Sequence, residues 1–180
     1  MTTKLAKSLV ILSSLALAGF ASTTALADKI KESGSFDAAY VKRDAQPIPD
    51  QDGHMLSLSD AQGVNKNTSG TGYLGGFSVN IRDFADLIQG NGPHQGYVIY
   101  VKDPDQQVIK IEGMVATTMK DGRPNTTFKG NWVVVNGKGA LAETKGEGTY
   151  SGYFTAEDKY HVDWEGSRTA PKDSLAESKK

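Results

Sequence analysis

Residues Gly130–Gly166 read GNWVVVNGKGALAETKGEGTYSGYFTAEDKYHVDWEG. The stretch divides into three apolar runs, each interrupted by glycine. Aromatic residues fall on alternate positions: Phe128 and Trp132, then Tyr150 and Phe154, then Tyr160 and Trp164. A period of two is the mark of a strand with one buried face. Glycine inside a strand marks a bulge, a tight bend or a close backbone approach. Gly137, Gly139, Gly146, Gly148, Gly152 and Gly166 therefore predict strands that bend sharply, as a sheet must to curl into a small barrel.

Working outward, the same alternation recurs upstream. His54, Leu56 and Leu58 share one face, and Phe77, Val79 and Ile81 share another. Tyr97–Val101 and Val108–Met119 read as strands. The latter joins Thr126–Val135 through the turn pair Asp121-Gly122. Ser35–Lys42 is a first strand or a loose arm. Gly63–Gly76, rich in Gly, Asn, Ser and Thr, reads as a long surface loop. Asp83–Gln89 reads as a short helix with Asp83 at its cap and Gly90 at its end. The expected fold is all-β: an antiparallel closed barrel of about eight strands with one short helix.

Three segments divide the chain. Lys4 and Lys7, the apolar run Leu9–Phe20 and the Ala25-Leu26-Ala27 site form a secretory signal, so residues 1–27 are expected to be a cleavable signal peptide. Residues 28–167 form the barrel domain. Residues 168–180, polar, charged and without aromatics, are expected to be a disordered tail. A periplasmic or secreted location follows. The chain has no cysteine, so neither a disulfide nor a lipidated cysteine is available. The formal charge is −1, and loss of Lys4 and Lys7 takes it to −3. The basic residues are scattered among acids, which argues against nucleic acid and an anionic membrane as partners. No membrane insertion is expected after signal cleavage. The sequence leaves open whether the protein is a monomer or a homo-oligomer.

The G-K-G, K-G-E-G-T-Y and S-G elements between Trp132 and Gly152, with the closing D-W-E-G at Asp163–Gly166, resemble the allene oxide cyclase-like, calycin-type barrels, and dirigent proteins are similar in this region. The resemblance covers about the last third of the mature chain. It implies an eight-stranded antiparallel barrel whose lumen takes a small, mostly apolar molecule. No catalytic position of those families is carried over to this chain.

Charge decides which face of each strand is inside, because an unpaired buried charge costs several kcal/mol. Lys110 and Glu112 turn one face of their strand outward and leave Ile109, Ile111 and Val115 inside. His161, Asp163 and Glu165 do the same for the last strand, leaving Tyr160, Val162 and Trp164 inside. Those three polar residues have metal-ligand spacing, but alternation makes them a solvated outer face. The expected ligand-binding residues are His54, Tyr97, Trp132, Tyr150, Tyr160 and Trp164. His54, in phase with Leu56 and Leu58, is expected to point into the barrel near a mouth, with Asp52 able to orient its ring. His94, in the glycine-rich segment Gly90–Gly96, is expected near a mouth as well. His54, His94 and Asp52 are the candidates for proton transfer. The sequence carries no G-x-S-x-G elbow, no phosphate-cradling loop, and names no metal or organic cofactor.

These features support three readings. The first is an exported barrel that binds a small apolar or aromatic molecule. The second is a cofactor-free cyclase, isomerase or lyase acting on such a molecule. The third is a ligand-free structural or stress-related envelope protein with a filled lumen.

Overall fold

The computed structural model describes residues 29–169. Eight antiparallel strands follow one another around a closed barrel: β1 (Lys29–Pro47), β2 (His54–Ser69), β3 (Ser78–Ile88), β4 (Gly92–Lys102), β5 (Asp105–Lys120), β6 (Arg123–Lys138), β7 (Gly146–Ala156) and β8 (Lys159–Thr169), with β1 pairing β8 to close the ring. The all-β barrel expected from glycine–aromatic spacing is the fold.

Several local expectations give way. Asp83–Gln89 is no helix: it continues β3 through Ile88, and among the described residues the single helical turn is a short 3-10 segment at Gly139–Leu141. The tight cap-like sequence was overridden because Asp83, Ala85 and Leu87 continue the inward phase of Val79 and Ile81. Of the loop expected over residues 63–76, the first half is strand, since β2 runs to Ser69, and residues 70–76 form the connection. Residues 92–96 belong to β4. Arg168 and Thr169, assigned to the tail, finish β8. The segment expected to be a signal peptide, residues 1–27, and residues 170–180 of the expected tail lie outside the described residues.

The in-strand glycines have a packing reason. Trp132 lies flat against the wall where a Cβ on Gly148 or Gly166 would stand, and these two glycines face each other across β7 and β8. Gly34 makes the same room for Trp164, and Gly152 for Phe128. Gly113 and Gly130, paired across β5 and β6, leave the space that the Tyr150 hydroxyl fills. Large rings thus lie along the wall instead of filling the axis, and this is what keeps the lumen open. The two tryptophans meet edge to face at 6.1 Å, a favoured aromatic geometry. Both indole N–H groups are satisfied. Trp132 Nε1 donates to the carbonyls of Thr149 and Glu165, each at 3.1 Å, and Trp164 Nε1 donates to Asn65 Oδ1 at 2.8 Å.

One end of the barrel is closed by the β2–β3 connection, Gly70–Phe77, whose Tyr73, Leu74 and Phe77 are buried. Glu32 anchors this plug. Its buried carboxylate accepts hydrogen bonds from the Thr71 N–H at 3.0 Å and hydroxyl at 2.8 Å, and pairs with Arg168 at 3.1 Å. The Arg168 guanidinium sits 4.5 Å above the centre of the Tyr73 ring. Tyr73 in turn donates to Gln107 Oε1 at 2.6 Å, and Gln107 donates to the Asn136 carbonyl. A buried charge is tolerable only when paired and fully hydrogen-bonded, and this one is.

Candidate functional site

The lumen is a cavity of about 610 Å³. Its floor is Tyr73 and Leu74 of the plug, and its walls carry Ile81, Val98, Ile109, Ile111, Phe128, Trp132, Tyr150, Phe154, Tyr160 and Trp164. At the opposite end the lining residues Arg43, Pro124, Asn125, Thr155 and Glu157 are exposed, so the cavity opens there. A bulge in β1 between Tyr40 and Lys42 shifts the phase of the strand and turns Arg43 toward this mouth. Bulges re-aim side chains in this way.

Trp132, Tyr150, Tyr160 and Trp164 stand on the lumen face as expected. Tyr97 does not. It is 46 % exposed on the outside, while His94, Val98 and Tyr100 of the same strand point in. Gly96–Val101 is apolar or neutral on both faces, so alternation there carried no phase information. Leu58 is likewise outside, 59 % exposed, and sits opposite Phe84 of β3. Ser57 and Ser59 take the lumen positions of β2.

His54 therefore also lies on the outer face. Its Nδ1 meets Asp50 Oδ1 at 2.5 Å and its Nε2 meets Asp86 Oδ1 at 2.6 Å. The partner in the turn is Asp50, not Asp52, which is exposed and takes no part in the lumen. Two carboxylates can only accept, so both ring nitrogens must carry protons for both bonds to form. The hydrogen bonds that His54 donates to Asp50 and then to Asp86 raise its pKa above the usual value. His161 repeats the arrangement on the outer face between Asp37 at 2.7 Å and Asp163 at 3.3 Å, and the Asp37 bond raises its pKa. A raised histidine pKa contributes stability that is whole below about pH 6.5, the unfolded value, and is lost as pH rises through the folded value. The urea midpoint should therefore fall as pH climbs from about 6.5, and the double variant His54→Gln/His161→Gln should flatten that slope. An unchanged slope in the double variant would assign the pH dependence elsewhere.

The polar centre of the lumen comes from three strands. His94, only 6 % exposed, faces inward from β4. Its Nδ1 lies 3.1 Å from Asp83 Oδ1 and 3.3 Å from Oδ2, and its Nε2 lies 3.0 Å from the Tyr150 hydroxyl. With Asp83 ionised, Nδ1–H donates to the carboxylate and Nε2 accepts the phenol proton. Burial raises the Asp83 pKa, and the hydrogen bond and charge of His94 oppose that rise. Burial also raises the phenols of Tyr40, Tyr100, Tyr150 and Tyr160, so all four stay protonated donors at neutral pH. Asp83 keeps 21 % of its side chain exposed beside the cavity. Sequence reasoning assigned this aspartate to a helix cap. The signal that would have found it is the unbroken inward phase Phe77, Val79, Ile81, Asp83, which places a carboxyl where an apolar residue is due.

No family model and no curated protein matches this chain. Among solved structures, one described as the pterocarpan synthase dirigent protein GePTS1 aligns with 88% of this chain and 100% of its own, at 9% sequence identity and a TM-score of 0.44.

Proposed function

We propose that the protein is an exported barrel that binds one small, largely apolar or aromatic molecule in its lumen. The observation that carries this reading is the cavity itself: about 610 Å³, closed by the plug at one end, open at the other and walled by aromatic and aliphatic side chains. That size falls in the range of small-molecule pockets, about 300–1,000 Å³. A filled structural barrel would keep a lumen fit only for water. The polar stripe of Asp83, His94 and Tyr150 supplies the few placed groups that orient a ligand in such a pocket. The resemblance of Trp132–Gly152 to lumen-binding barrels supports the same reading, and the amino-terminal signal pattern supports export. The outer face carries Lys31, Asp37, Lys66, Arg82, Glu112, Lys129 and Asp163 as exposed charges, which suits a barrel surrounded by water better than one in lipid.

Titration with the neutral apolar fluorophore N-phenyl-1-naphthylamine tests it. One saturable site per chain is expected, with quenching of Trp132 and Trp164, which line the cavity. No saturable uptake of this probe or of any molecule in a broad apolar panel would sink the proposal.

A further inference from the structure

An apolar container has no need of a carboxyl group in its wall. Asp83 occupies an inward position between Ile81 and Ala85, where any aliphatic residue would pack without the cost of desolvating a charge. The molecule instead builds support around it. His94 bonds it from β4, and Tyr150 reaches across the paired glycines Gly113 and Gly130 to back the imidazole. The titratable groups facing Asp83 are His94 from β4, Tyr150 from β7, Tyr40 from β1 and Tyr160 from β8, the three phenols all lying within reach of its charge. Tyr160 and Tyr100 have no side-chain hydrogen-bond partner among the described residues, although both line the cavity. Both residues line the cavity, so either phenol can donate to an oxygen of a molecule bound there.

We propose that the lumen is a proton-transfer site in which Asp83 removes a proton from a carbon beside the carbonyl of an apolar ketone or enone and then returns it. This rests on the reading of the lumen as a binding site. In the forward step the C–H bond breaks and the proton forms an O–H bond on Asp83. The C–H pair becomes the new C=C bond, and the carbonyl π pair moves to oxygen, giving an enolate that accepts a hydrogen bond from the Tyr160 phenol. In the return step Asp83 first trades its proton with water entering through the open mouth and then delivers a solvent-derived proton to the same carbon, which exchanges the hydrogen, or it passes a proton to the far carbon of an enone, shifting its double bond. Charge and electrons balance with no oxidant or cofactor. A carboxylate base in an apolar site, paired with protonated donors at the oxygen, is a known solution to this chemistry. Asp83 is the catalytic residue, and His94 is a positioning residue that fixes the carboxylate and favours its ionised form.

The test follows α-proton exchange of β-tetralone in D2O by NMR, with displacement of N-phenyl-1-naphthylamine reporting occupancy of the same lumen. The protein is expected to speed exchange by about a hundred- to ten-thousandfold over buffer, the range for one placed acid–base group. Asp83→Asn should lose that acceleration while still binding the probe, and Asp83→Thr serves the same purpose if the amide variant is poorly folded. The rate should rise with pH through the titration of Asp83. In His94→Gln the midpoint of that profile should move to higher pH, because the group that opposes the rise in the Asp83 pKa is gone; a purely structural role would lower the rate without moving the midpoint. Displacement of the probe by β-tetralone without faster exchange overturns the proposal, as does an Asp83→Asn variant that exchanges at the original rate. Probe uptake without displacement overturns the ketone class and the proposal with it. Failure of the probe itself to bind is a failure of the binding reading.

Discussion

Trp132→Ala is expected to lower the unfolding free energy by about 3–5 kcal/mol, the usual cost of deleting a large buried aromatic side chain. Trp132 is 6 % exposed and occupies the dent that Gly148 and Gly166 create on the wall. Its removal leaves those two glycines, which carry no side chains, facing the hollow that the indole filled. The change also ends the edge contact with Trp164 and leaves the Thr149 and Glu165 carbonyls without their indole donor. Urea unfolding followed by circular dichroism checks this. Val133→Ala, on the exposed face one residue along, should stay within about 0.5 kcal/mol of the parent. A Trp132→Ala loss no larger than that of Val133→Ala would mean that the glycine–aromatic fit does not hold the barrel together.

Filling the lumen should have an equally large effect on binding. Ala85 is buried on the inner face of β3, opposite His94 in the β3–β4 register. Ala85→Trp would place an indole in open cavity space, where little must be displaced. The affinity for N-phenyl-1-naphthylamine is expected to drop at least about a hundredfold, which corresponds to about 2.7 kcal/mol. The outer-face change Leu58→Trp should leave the probe affinity as it was, because Leu58 points away from the lumen. If both variants bind as tightly as the parent, the probe occupies some place other than the lumen.

The β6–β8 half of the barrel was legible because its sequence separates the faces cleanly. Every charged residue of β8 from His161 to Glu165 falls on one parity and every aromatic residue on the other, so desolvation cost alone assigns inside and outside. The β2–β4 half was not. In β2 the branched residues Leu56 and Leu58 stand outside while serines stand inside, which inverts the rule that apolar faces turn inward. The inversion follows from the cavity: a wall facing an open mouth beside Tyr40 and Arg43 has no core to fill, and the leucines find apolar neighbours such as Phe84 on the outer sheet face. In β4 both faces are apolar, so the phase of Tyr97 and His94 rested on the neighbouring strands. His54 was misplaced with its strand, and Asp52 with His54.

Composition, the period of two and the glycine spacing by themselves determined an antiparallel all-β fold of about eight strands, favoured a closed barrel over a sandwich, and set the aromatic lining of three of its strands. Those properties are local, set by which residues tolerate burial on a pleated surface. The Asp83–His94–Tyr150 centre was decided only by the tertiary structure. Its three members lie on β3, β4 and β7, and Tyr150 reaches His94 across 56 positions of sequence. They meet because the closed ring fixes the register of every strand at once. Two glycines facing each other on β5 and β6 then clear the path between them. No pattern within a single strand carries that information, since a carboxyl group in a wall becomes a site only when the strands beside it supply its partners.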